Sequence, residues 1–138
     1  MINVKERRHR ERAWSIAPGP WSAQADGECA TLEPPTRDTA LQVSAYRKPA
    51  GEVTDADLAD FAADAELPEV SPVQCGDFQG LSGAYTDDGV AWRKWWLRAG
   101  PLLLHVTYNG DEATAVRDAA AVDGILGTLR YEPDSPAG

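Results

Sequence analysis

Chemistry in this chain would have to start from few residues. His105 is the one histidine in the body of the sequence, the other being His9 near the N-terminus. It lies in "GVAWRKWWLRAGPLLLHVTYNG", residues 89–110, beside three of the five tryptophans (Trp92, Trp95, Trp96) and the cations Arg93, Lys94 and Arg98. Imidazole can move protons or ligate a metal, but a single histidine offers no two-histidine metal site, and a Ser-His-Asp set needs a serine delivered by the fold. Ser82, in "GLSGA" (residues 80–84), is the candidate. That pentad has Ala84 where the nucleophile elbow requires glycine, and it sits in a strand pattern rather than at a strand-to-helix turn. Asp87 and Asp88 read as turn chemistry. No phosphate loop or dinucleotide fingerprint is present. No catalytic residue, metal ligand or cofactor is assigned, and the chain is expected not to be an enzyme.

The elements that must position the tryptophan segment follow from periodicity. Residues 12–17 pattern as a strand stopped by "PGPW", where prolines cannot feed a ladder. A short strand around residues 29–32 ends at "EPPTRD", and Leu41, Val43 and Ala45 then alternate with Gln42, Ser44 and Tyr46. Thr54 announces a helix as its N-cap, with Asp57 three residues on completing a capping box. Leu58, Phe61, Ala62 and Ala65 form its apolar stripe and Pro68 closes it. Residues 78–86, 90–98 and 102–108 pattern as three adjacent antiparallel strands, with "DDG" and Ala99–Gly100 as their turns. Asp111 caps a second helix, whose stripe is Ala115, Ala119, Val122, Leu126 and Leu129. The order β-β-β-α-β-β-β-α, about six strands and two amphipathic helices in one mainly antiparallel domain, is an α+β class. Residues 1–11 are expected to be a basic arm or edge-strand extension, 12–130 the domain, and 131–138 a flexible tail.

With Ala99–Gly100 as the turn, Leu97 pairs with Leu102, Trp95 with Leu104, Trp96 with Leu103, Lys94 with His105 and Trp92 with Thr107. One face then carries Trp95, Leu97, Leu102, Leu104, Val106 and Tyr108, a core set. The other carries Trp92, Lys94, Trp96, Arg98 and His105, aromatic and basic together, as at contact surfaces. These five are the candidate ligand or partner-binding residues. The plainer alternative is packing, because cationic stems lie readily along indole rings beneath a helix. Arg93, on the apolar face, needs an acid such as Asp87 or Asp77. Gly80 and Gly83 are expected to make room beside the tryptophans of the next strand.

Composition narrows the function classes. At 138 residues with 43% hydrophobic and 25% charged residues, the chain fits one globular domain with a core of its own. The net charge of −9 is uneven: the first twelve residues carry +3 and the remainder −12. An acidic body repels nucleic acid, so no nucleic-acid partner is expected. No apolar run reaches membrane-spanning length, and "MINVKERRHRER" is charged where a signal peptide would be apolar, which points to the cytoplasm and away from membranes. In a reducing compartment Cys29 and Cys75 read as small buried thiols.

The segments "PGPW", "ALQVSAY" before a Thr-capped helix, "GDFQGLSGAY", "WRKWWL", "LLLHVTYNG" and a terminal helix ending "ILGTLR" resemble a group of uncharacterised bacterial domains with the PsbP-like αβα-sandwich fold, over residues 12–130. That fold also hosts an extrinsic photosystem subunit and a Ran-binding import factor. The resemblance therefore implies a binding scaffold and transfers no functional residue. The first expectation is a binding or adaptor domain for a protein partner, in the manner of an immunity protein whose acidity suits a basic toxin. The second is a small-molecule binder with a pocket between the tryptophan strands and a helix. The third is a hydrolase built on Ser82 and His105.

Overall fold

A computed structural model describes residues 8–65, 67 and 69–133. Ile2, Val4, Lys5 and Arg7 of the basic arm, Pro68, and residues 134–138 lie outside these.

The chain runs β1 (His9–Glu11), β2 (Trp14–Ile16), β3 (Ser22–Asp26), β4 (Cys29–Glu33), β5 (Ala40–Arg47), α1 (Asp55–Asp64), β6 (Ser71–Cys75), β7 (Phe78–Asp87), β8 (Val90–Ala99), β9 (Leu102–Asp111), α2 (Glu112–Leu126) and β10 (Arg130–Tyr131). The α+β class and both helices match expectation, but the described residues form ten strands rather than about six, in a seven-stranded sheet (β3-β4-β5-β9-β8-β7-β6) and a three-stranded one (β1-β2-β10). The additional strands β1, β3, β6 and β10 are short and mostly exposed, so they carry little of the apolar alternation by which strands are recognised. The strand expected over residues 12–17 is interrupted: Ala13 takes a left-handed conformation (φ 70°), and β1 folds back antiparallel on β2.

Local signals act as expected at both helices. The Thr54 side chain accepts from the Asp57 N–H at 3.1 Å while the Asp57 carboxylate accepts from the Thr54 N–H at 2.9 Å, and Asp111 caps α2 by accepting from the Thr114 N–H. The β7–β8 hairpin turns on Asp88 and Gly89, both at positive φ (52° and 80°), the backbone a two-residue hairpin loop favours.

The β8–β9 hairpin turns on Gly100–Pro101, one residue later than expected. Ala99 pairs with Leu102, Leu97 with Leu104, Trp95 with Val106, Trp96 with His105, Lys94 with Thr107 and Trp92 with Asn109. The register is thus displaced by two residues. An even displacement keeps every side chain on its expected face. Gly80 approaches the β8 backbone, where a Cβ would meet the Trp96 carbonyl oxygen at 1.9 Å, and Gly83 lies under Leu67 and Glu69; neither makes room for an indole ring.

Two layers cover the large sheet. On one side α2 and the small sheet bury Trp14, Ile16, Trp95, Leu97, Leu104 and Val106 with Val122 and Leu126. On the other, Leu58 and Ala62 of α1, with Val53, pack on Trp96 and Leu103. Cys75 is buried, its thiol pKa raised to about 11 by burial, whereas Cys29 is exposed rather than buried, with its Sγ 3.2 Å from the Ser44 hydroxyl.

The buried carboxylate of Asp118 anchors α2. Thr39 Oγ1 and the Tyr108 hydroxyl donate to its Oδ2 at 2.7 and 2.8 Å, Arg117 Nε donates to Oδ1 at 2.9 Å, and Arg117 also grips Asp38 through two guanidinium nitrogens. These donors hold Asp118 below the usual carboxylate range against the opposing effect of burial, and burial together with the neighbouring carboxylate raises the Tyr108 hydroxyl to about 12. Asp118→Ala would leave the buried Thr39 hydroxyl without an acceptor, the Tyr108 hydroxyl with only the Thr114 carbonyl at 3.2 Å, and Arg117 without one of its two carboxylate partners, so thermal unfolding should show a loss of about 2–3 kcal/mol, a Tm fall of about 10 °C. Asp118→Asn, which keeps an acceptor oxygen, should lose less.

Candidate functional site

Trp92, Lys94, Trp96, Arg98 and His105 all lie on the α1-side face of the sheet, as their alternation requires. The fold nevertheless divides them. Trp96 is 3% exposed and sits under α1 in the cluster with Leu58 and Leu103. Arg98 donates from Nε to Asp55 Oδ1 at 2.7 Å, tying the sheet to the first residue of α1. His105 packs against Trp96, ring centroids 5.4 Å apart and tilted by 41°, and its Nδ1 is buried with no hydrogen-bond partner. Burial, reinforced by the Lys94 charge, lowers its pKa, since a proton there would be poorly solvated and repelled.

Beyond α1 the face is half-buried: Tyr85, Trp92 and Lys94 are of intermediate exposure, and Leu67 and Glu69 lie over Gly83, the residue paired with Lys94. Trp92 stacks on Tyr85 of β7 with centroids 6.1 Å apart and planes 4° from parallel, and the Lys94 ammonium stands 5.5 Å from the Tyr85 centroid and 5.7 Å from that of Trp92. Lys94 makes no hydrogen bond or ion pair with a described residue. It ends a cross-strand row in which Thr107 pairs with Lys94, Gln42 with Thr107, Thr31 with Gln42 and Gln24 with Thr31. None of those four polar side chains hydrogen-bonds to another described residue. The row crosses five strands, roughly 19 Å at the usual strand spacing. Sequence reasoning missed Tyr85 and this row: Tyr85 was legible as a strand position, but its partner depends on the β7–β8 register.

The other residues singled out lie apart. Arg93 is on the α2 side, 4.6 Å over the Trp95 ring and bonded to Asp123 of α2 at 2.8 Å, not to Asp87 or Asp77. Ser82 pairs with Trp95 and so shares the α2-side face, opposite to His105. His9 pairs with Ile16 in the small sheet and bonds to Glu11. Among the described residues no group of three His, Cys, Asp or Glu side chains could hold a metal ion, and no helix is long and apolar enough to cross a membrane.

No family model and no curated protein matches the chain. Among solved structures, a crystal structure from Bacteroides thetaiotaomicron is similar over 95% of this chain with a TM-score of 0.68 and 13% identity; the chain spans about half of that protein, 50% of its length. The cyanobacterial PsbP (CyanoP) of Synechocystis sp. PCC 6803 is a looser likeness, TM-score 0.45 and 11% identity, over 91% of both chains. At these identities the likeness is one of fold.

The division of the face has measurable consequences. Trp96→Ala should destabilise by about 3–5 kcal/mol, as expected for a buried indole, whereas Trp92→Ala, at a half-buried position, should lose about 2 kcal/mol; denaturant titration separates them. The folded state binds a proton at His105 less readily than the free side chain does. Its contribution is therefore fully present above the ordinary histidine value of 6.5 and is lost as pH falls below it. Stability measured from about pH 8 to about pH 5 should fall more steeply in the native chain than in His105→Gln.

Proposed function

We propose that this chain is a non-enzymatic binding domain that recognises a protein partner through the part of its α1-side sheet face beyond α1. The observation that carries this reading is the Tyr85–Trp92 stack with Lys94 beside it, half-buried beyond α1 and continuous with a row of unbonded polar side chains. Tryptophan and tyrosine are the residues on which interface energy concentrates, and unbonded amides and hydroxyls can supply the polar rim. Trp96, Arg98 and His105 act beneath, holding the strands and α1 in place. The net charge of −9 favours encounter with a basic partner, and an immunity-like role against a basic toxin in the cytoplasm is the form of the proposal that the charge supports.

The immobilised full chain should capture a stoichiometric partner from an extract of its own cells, and Trp92→Ala combined with Tyr85→Ala should lose that partner while circular dichroism still reports the folded chain. Undiminished capture by the double variant, or capture of nothing, would overturn the proposal.

A further inference from the structure

The two edges of the seven-stranded sheet are not alike. At the β6 edge, Ser71 pairs with Ser82, Val73 with Gly80 and Cys75 with Phe78 across a two-residue turn, so the backbone groups of Pro72 and Gln74 point outward. Pro72 has no N–H to offer there, which closes that edge to further pairing. The β3 edge is built differently. The Ala45 N–H donates to the Glu28 carbonyl at 3.1 Å, which fixes the alternation along β4 and hence β3: Ser22, Gln24 and Asp26 bond to β4, while the N–H and C=O groups of Ala23 and Ala25 point outward. Those outward groups have no partner among the described residues. β3 has no proline, lysine or bulge, its register with β4 is unbroken, and every residue but the half-buried Ala23 is exposed.

The strand is complementary to itself. Set antiparallel against a second copy about a two-fold axis at Gln24, β3 overlaps along its whole length. Ala23 then exchanges both backbone hydrogen bonds with Ala25 of the second copy, and Ala25 does the same with Ala23 of the second copy. Gln24 faces its own copy, and an amide both donates and accepts. Ser22 faces Asp26 of the second copy, a hydroxyl against a carboxylate. Ala23 and Ala25, paired with Leu32 and Ala30 on the α2 side, bring only methyl groups. No like charges meet along the strand, although the chain as a whole carries −9.

We propose that this chain forms a two-fold dimer through β3, joining two seven-stranded sheets into one. A strand of another sequence would need its own match to Ser22, Gln24 and Asp26, whereas the two-fold axis supplies that match without further conditions. A five-residue edge buries little area, so the dimer is weak, with a Kd on the order of 100 µM. The polar row from Lys94 to Gln24 meets its copy at the axis and doubles in length. The inference does not depend on the partner proposal, which rests on Tyr85 and Trp92.

Sedimentation of the full chain from about 10 µM to about 1 mM should show a monomer–dimer equilibrium, strengthened by salt as the repulsion between two acidic bodies is screened. In a Cys29→Ser background, Gln24→Cys should oxidise to a covalent dimer, because the residue on the axis sits in a non-hydrogen-bonded pair with Cα atoms about 4.5 Å apart. Asp26→Cys, about 14 Å from its symmetry mate, should not. Gln24→Lys, at an exposed position, should weaken the dimer at least about tenfold by setting two ammonium groups opposite each other, and mixing with Gln24→Glu should restore association. Ala25→Pro removes an N–H that β4 does not use, so it should stay monomeric with the circular dichroism of the native fold. Trp92→Ala should dimerise as the native chain does. A native chain that is monomeric at about 1 mM, leaving the edge to a partner's strand or to water, would overturn the assignment. So would a dimer indifferent to Gln24→Lys, or cross-linking no better in Gln24→Cys than in Asp26→Cys.

Discussion

The pairing of β5 with β9 is the constraint on which the rest of the molecule depends. It joins eight residues, Ala40 to Arg47, to Leu102 through Asn109 and so fuses two meanders, β3-β4-β5 and β6-β7-β8-β9, into one sheet. About sixty residues separate the paired strands, so the loop-closure entropy is met only by the burial that the fused sheet allows. The ladder sets Val43 beside Val106 and Leu41 beside Tyr108 on the α2 side, and Ser44 beside His105 and Tyr46 beside Leu103 on the α1 side. The polar row that continues the Trp92 surface crosses this seam.

A size mismatch explains why the α1-side face has surfaces to offer. A helix of ten residues is about 15 Å long, whereas seven strands extend over roughly 29 Å from edge to edge. Leu58 and Ala62 cover Trp96 and Leu103, and the Arg98–Asp55 and Lys48–Asp57 pairs tie the N-terminal turn of α1 to its surroundings. To one side Gln24 and Gln42 are exposed, and Thr31, Thr107, Lys94 and the Tyr85–Trp92 stack are half-buried. To the other, Phe61 overhangs a gap.

The α2-side face behaves differently because it is closed by two elements. α2 and the small sheet enclose Trp95 and Leu104, and the polar atoms they enclose are matched: Asp118 has three donors, and Arg93 lies between an indole face and Asp123. A satisfied, well-packed face gives a rigid support, while side chains with unused hydrogen-bonding capacity collect on the opposite one.

Much of this architecture was legible locally. Thr54 with Asp57, and Asp111, mark the starts of both helices because a capping side chain acts on backbone only two or three residues away. Asp88–Gly89 marks a hairpin for the same reason. The alternation through β8 and β9 assigned Trp92, Lys94, Trp96, Arg98 and His105 to one face correctly, since strand periodicity survives a register displaced by two. Contacts between distant segments were not legible. Asp123 rather than Asp87 or Asp77 holds Arg93, Tyr85 stacks on Trp92, Phe61 is left outside its own helix stripe, and Cys29 faces solvent on a strand whose neighbours decide its burial. Face, cap and turn are set by forces within a few residues of chain, so the sequence by itself determined them. Which half of a face is covered, and which side chains are left without partners, depends on the breadth of a sheet assembled across long loops, and only the tertiary structure decided that.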